Sequence, residues 1–182
     1  MCHFVTATLP AHAPHSELDA VARRHGRQFR SVSNASVERQ IGADRRYFVT
    51  TAGHCDCGTV LGEGLLASRS VDWDKEARRL RKKGWSESKI ARALAEKRGH
   101  ADDKLARKSA SAASDHASWT AFITDVLAVT HELGLLLHMY RGTLDEDIVL
   151  LGSEAIPSDA NLGHALGAMR EDVLYVFTGA TR

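Results

Sequence analysis

Apolar positions along this chain recur with two periods, and each predicts a different kind of element. Phe4 to Leu9 is a short β-branched and apolar run closed by Pro10, which predicts a strand over 3–8. Pro14-His15-Ser16 then opens a helix with Ser16 as its cap. Leu18, Val21 and Ala22 recur at helical spacing, and Gly26 ends it. Phe29 to Ser33 predicts a second, weaker strand, and Ser36 to Ile41 a helical turn or two. Arg46-Tyr47-Phe48-Val49-Thr50-Thr51 is the clearest strand by composition. Thr59-Val60-Leu61 is expected to continue as the return of a hairpin, because glycines flank the turn before it.

A helical block follows. Trp73, Ala77 and Leu80 share one face of a first helix that Gly84 stops. Ser86 caps a second, where Trp85 and Ile90 have the spacing of a hydrophobic staple and Ile90, Ala91 and Leu94 line the inner face. Ser109 to Ser114 is an Ala/Ser run, read as a linker or a weak helical turn. Ser114 or Asp115 then caps the strongest helix, near 115–133. Its broad apolar face is Trp119, Phe122, Ile123, Val126, Leu127, Thr130 and Leu133, with Gly134 as the expected stop. Leu135 to Tyr140 and Ile148 to Leu151 predict two strands around the turn Gly142-Thr143-Leu144-Asp145. Asn161 to Met169 predicts a short helix and Val173 to Phe177 a last strand.

Strands at both ends around a helical block predict an α+β fold. The expectation is one mixed or antiparallel sheet packed by a long helix, with a basic helical hairpin inserted. A length of 182 residues suits one domain over 1–182, with 72–108 as the basic insertion.

Net charge changes this picture only when it is divided. The chain totals +1, yet Lys75 to Lys108 holds 13 Lys or Arg against five acids, leaving the remainder at −7. Within it, Gly84-x-Ser86-x-x-x-Ile90-Ala91-Arg92-x-Leu94 resembles the first half of a resolvase-type helix-turn-helix. Ala95 to His100 continues charged, and no apolar set follows to anchor a recognition helix. Two uses fit residues 75–108: non-sequence-specific nucleic-acid binding, or a solvated hairpin that serves solubility or docks an acidic protein partner. The second is preferred.

The chemistry concentrates in Gly53-His54-Cys55-Asp56-Cys57-Gly58, which holds two of the three cysteines; the third is Cys2. Cysteines one residue apart bridge poorly, because a disulfide demands a particular geometry. Met1-Cys2-His3-Phe4 lacks the features of a secretory signal, and no window is apolar enough to span a membrane. The expectation is a cytoplasmic protein with reduced thiols. Cys2, His54, Cys55 and Cys57 would complete a Cys3His zinc site, with His3 or His138 as substitutes for His54. Asp56 would orient a ligand or face solvent. Two readings compete. The cysteines are inert packing in a tight turn, or the chain is a cysteine-dependent enzyme using Cys2 or Cys55/Cys57 as nucleophile, with His54 or His3 as base. Met1-Cys2 resembles the opening of N-terminal-nucleophile amidotransferases, although His3 stands where those usually carry Gly. No P-loop, dinucleotide fingerprint or H-E-x-x-H occurs. A binding or regulatory module is therefore preferred to an enzyme.

The opening Met1-Cys2-His3-Phe4 carries a further resemblance, together with Tyr47-Phe48-Val49-Thr50-Thr51 running into Gly53–Gly58, Lys83-Gly84-Trp85-Ser86, and Glu171-Asp172-Val173-Leu174-Tyr175. Together they resemble a set of small bacterial proteins of unknown function. The resemblance covers nearly the whole chain and implies no activity.

Overall fold

In the computed structural model, which describes residues 2–63 and 72–179 and all of their side chains except 102 and 104–111, the N-terminal apolar run becomes a central strand. This β1 spans Cys2–Pro10. It is followed by α1 (His15–Arg24), β2 (Arg30–Ser31), α2 (Ala35–Ile41), β3 (Arg45–Val49) and α3 (Val60–Glu63). Then come α4 (Trp73–Lys82), α5 (Glu87–Thr130), β4 (Glu132–Tyr140), β5 (Gly152–Ile156), α6 (Leu162–Gly167) and β6 (Val173–Thr178). The strands form one sheet in the order β2-β3-β1-β4-β6-β5. All pairings are antiparallel except β5 with β6, so the sheet is mixed and the fold is α+β.

The chain divides into two compact units, Met1–Leu66 with Asp115–Arg182, and Ala67–Ser114. In the first, side-chain alternation along the strands covers both sheet faces. Val5, Ala7 and Leu9 of β1 and Leu133, Leu135 and Leu137 of β4 pack against Trp119, Phe122, Ile123 and Val126 of α5 and Leu18 and Val21 of α1. The opposite face joins Tyr47, Leu136, Tyr140 and Leu174 to Val37 and Ile41 of α2. In the second unit, Leu80, Ile90 and Leu94 are buried together with Trp73, Ala77 and Trp85 against them. Asp72 caps α4, and Gly84 turns the chain at φ 76°. Glu76 pairs with both Arg79 and Lys97, and Arg81 with Glu87. Lys89 lies over the Trp85 ring and Arg98 over Trp73. Five of the hairpin's basic side chains are thus engaged locally. No helix among the described residues is long and apolar enough to cross a membrane.

Five expectations need correction. Pro14, not Ser16, stands at the cap of α1 with no side-chain hydrogen bond, because its ring presets φ and starts the helix earlier. The 109–114 run is not a linker: α5 continues through it, since Ala is the best helix former and no Gly or Pro occurs between 100 and 130. Gly134 does not stop that helix. His131 turns the chain at φ 60°, and Leu133 and Gly134 lie inside β4. A Cβ at Gly134 would collide with Thr8 Oγ1, so the glycine serves strand packing rather than helix termination. Residues 148–151 form no strand. Gln40 and Ser36 of α2 satisfy their backbone instead: Gln40 Nε2 donates to the Ile148 carbonyl, and the amides of Ile148 and Leu150 donate to Ser36 Oγ and Gln40 Oε1. Finally, residues 60–61 enter α3 instead of a hairpin return.

His138 is held on β4 between two carboxylates. Its Nδ1 is 2.5 Å from Asp172 Oδ1 and its Nε2 3.0 Å from Glu146 Oε1. Glu146 also accepts the amides of Arg141 and Gly142. The bond from His138, then those amides, hold the Glu146 carboxyl below its ordinary value of 4.5. A depressed carboxyl contributes stability that is fully present above pH 4.5 and is lost as pH falls through the folded value. Glu146→Gln is therefore expected to lower Tm above that pH, with the gap to the parent closing on acidification. A gap independent of pH would count against this account.

Candidate metal centre

Beyond Thr6, the N-terminal half of β1 outruns its pairing with β3. The loop after β3 takes over that edge. The Thr50 amide and hydroxyl both donate to the Val5 carbonyl, and the Asp56 amide donates to the His3 carbonyl at 2.8 Å. The Asp56 carboxylate accepts the Val5 amide at 2.8 Å and the Thr51 hydroxyl. Asp56 is thus buried beneath the turn, facing neither a ligand nor solvent.

The chain then reverses tightly. The Thr59 amide and hydroxyl donate to the Asp56 carbonyl at 3.0 and 2.8 Å. α3 packs directly on that carbonyl, and a Cβ at Gly62 would sit 2.8 Å from the Asp56 carbonyl carbon and 3.0 Å from Cys57 Cα. Only glycine fits so close an approach of backbone to backbone. This packing, which no local pattern announces, makes a helix of the stretch expected to be a hairpin strand.

The outcome is a cluster of sulfur. Cys2 at the start of β1 meets Cys55 and Cys57 from the loop, and the three Sγ atoms lie within 4.8 Å of one another. All three are free thiols and half-buried. Three sulfurs about 2.3 Å from a shared zinc in a tetrahedron would be ~3.8 Å apart, so the set can hold a metal ion. His54 is exposed and does not belong to the group. His138 is engaged by Asp172 and Glu146.

His3 does reach the cluster. Its amide donates to Cys57 Sγ at 3.1 Å, and its ring Nδ1 lies 3.9 Å from the same sulfur. On the other side of the ring, Nε2 is 2.6 Å from Glu171 Oε1. Glu171 is part of the Glu171–Tyr175 segment noted above, but the sequence pointed to no role for it at this site. It lies 168 residues from His3 and forms an isolated bridge with Leu137, and no spacing rule connects the two.

The thiols are not equivalent. Bonds from the Cys57 amide and thiol, with one from Cys2, hold Cys55 below the ordinary thiol range. Cys57 moves the other way: the His3 amide favours its thiolate, but burial and the neighbouring Cys55 and Cys2 outweigh that bond. Beneath them, burial raises the Asp56 carboxyl against its hydrogen bonds from Thr51 and Val5. Burial also pushes the Arg27 guanidinium down to about 10, opposed by Asp56 and Asp115. Arg27 therefore keeps its charge at neutral pH, 3.2 Å above the Trp119 ring. No protein-family model, curated protein or solved structure matches this chain.

Proposed function

We propose that this chain is a binding or regulatory module that holds zinc through Cys2, Cys55 and Cys57. The mutual approach of the three sulfurs carries the reading. Two of them come from a loop tied down by a buried carboxylate, and the third from a strand, so the donors are gathered before any ion arrives. Soft thiolates select zinc and other thiophilic ions over magnesium or calcium. Untagged protein is expected to carry about one zinc per chain by mass spectrometry. Chelation should unmask thiols to a thiol reagent, and serine at any of the three positions should lower the occupancy. Metal-free protein with three freely titrating thiols would remove the reading.

One observation favours a second reading, a cysteine-dependent enzyme. Cys55 has the thiol whose charged form is favoured by hydrogen bonds, and it is partly accessible. This reading expects fast, selective alkylation of Cys55 in metal-free protein at neutral pH. Three equally sluggish thiols would argue strongly against it.

A further inference from the structure

Resting on the zinc reading above, we infer that His3 is the fourth ligand, through Nδ1, and that Glu171 is the positioning residue that sets its ring.

Successive residues of a strand point to opposite faces, so Cys2 and His3 would ordinarily address different sites. The loop at 55–57 removes that conflict by curling around the end of β1. Its Cys57 sulfur takes the His3 amide at 3.1 Å, which places the sulfur beside the His3 ring. The resulting separation between Nδ1 and Cys57 Sγ is 3.9 Å. Zinc–sulfur and zinc–nitrogen bonds of about 2.3 and 2.0 Å in a tetrahedron put such atoms ~3.5 Å apart. Nδ1 is not within 4.8 Å of all three sulfurs, so on loading the 55–57 turn is expected to close on the ring.

The far side of the ring decides which nitrogen is available. A carboxylate only accepts, so the 2.6 Å contact with Glu171 Oε1 places the hydrogen on Nε2. Nδ1 is left with its lone pair directed toward Cys57. A carboxylate behind a ligating imidazole fixes the tautomer and strengthens the donor. His3 is also 6% exposed, so its ring is held in place, whereas His54 is exposed. Three thiolates and a zinc ion sum to one negative charge, and a neutral imidazole completes the set without adding to it.

The test is X-ray absorption at the zinc edge on full-length, zinc-loaded protein, with stoichiometry measured first. The expected spectrum has three sulfurs and one nitrogen, with the outer-shell scattering of an imidazole. That scattering should persist in His54→Ala and vanish in His3→Ala. Glu171→Gln should keep it while weakening zinc affinity about 10–100-fold. If His3→Ala fails to fold, the parent and His54→Ala spectra together still test the assignment. Zinc bound by sulfur with no imidazole, or an imidazole signal lost in His54→Ala, would overturn the role of His3 and leave the three-thiolate site standing. Failure of the parent to bind zinc would overturn both.

Discussion

Gly62→Ala is expected to abolish stoichiometric zinc binding while leaving the helix and strand content of the protein in place. The added methyl would meet the carbonyl of Asp56 and lie 3.0 Å from Cys57 Cα, so it meets backbone rather than a side chain that can swing away. Relief requires α3 or the 55–57 turn to move. Thr59, which leads into α3 and bonds the Asp56 carbonyl through its amide and hydroxyl, couples the two, so the shift is expected to displace Cys55 and Cys57 from Cys2. Overpacking of this kind destabilises by roughly 1–3 kcal/mol, which a protein of ordinary stability survives. Two glycines in the same stretch serve as controls. A Cβ at Gly53 or Gly58 meets nothing within 4 Å, and neither residue is recorded at positive φ. Alanine at those positions should leave zinc content unchanged. Zinc per chain and circular dichroism on the three variants decide the matter. Parent-like zinc content in Gly62→Ala would show that the close approach does not shape the site.

Trp119→Ala is expected to destabilise the first unit by about 3–5 kcal/mol, among the largest effects a single truncation produces. The ring is wholly buried and stands edge-on to Phe122 at 5.8 Å. It also carries the Arg27 guanidinium on its face. Truncation therefore opens a cavity and strips a partly desolvated cation of its ring, two losses that act together. Trp119→Phe keeps an aromatic face beneath Arg27 and should recover a substantial part of the loss. Denaturant unfolding of both variants measures it. Equal losses in the two would count against both contributions, because phenylalanine restores part of the volume as well as an aromatic face.

Much of this fold was legible in the chain. The period-2 run at Val5, Ala7 and Leu9 and the 3.6-period face of Trp119, Phe122, Ile123 and Val126 are core in the structure, because burial of alternating and helical stripes is a local consequence of pattern. The basic hairpin was legible from its stop at Gly84, at φ 76°, and from the apolar set Trp73, Ala77, Leu80, Trp85, Ile90 and Leu94 that packs together. What misled was punctuation read without its neighbours. Gly134 resembles a helix stop, but Thr8, 126 residues earlier, decides its role. The apolar run at 148–151 resembles a strand, but Gln40 and Ser36 hold it as a loop.

The candidate site divides along the same line. By itself the sequence determined the donor chemistry: three thiols, two of them in one glycine-flanked turn, and a histidine beside the third. Tertiary structure alone decided which of these meet. Cys2 and the 55–57 turn come together because β3 lies antiparallel to β1 and the buried Asp56 carboxylate ties the loop to Val5. Tertiary structure likewise placed His3, and not the exposed His54, beside Cys57, with Glu171 behind its ring. A hydrogen bond that closes a loop of 168 residues leaves no periodic trace, since it is set by where two distant backbones are packed and not by any local preference of either.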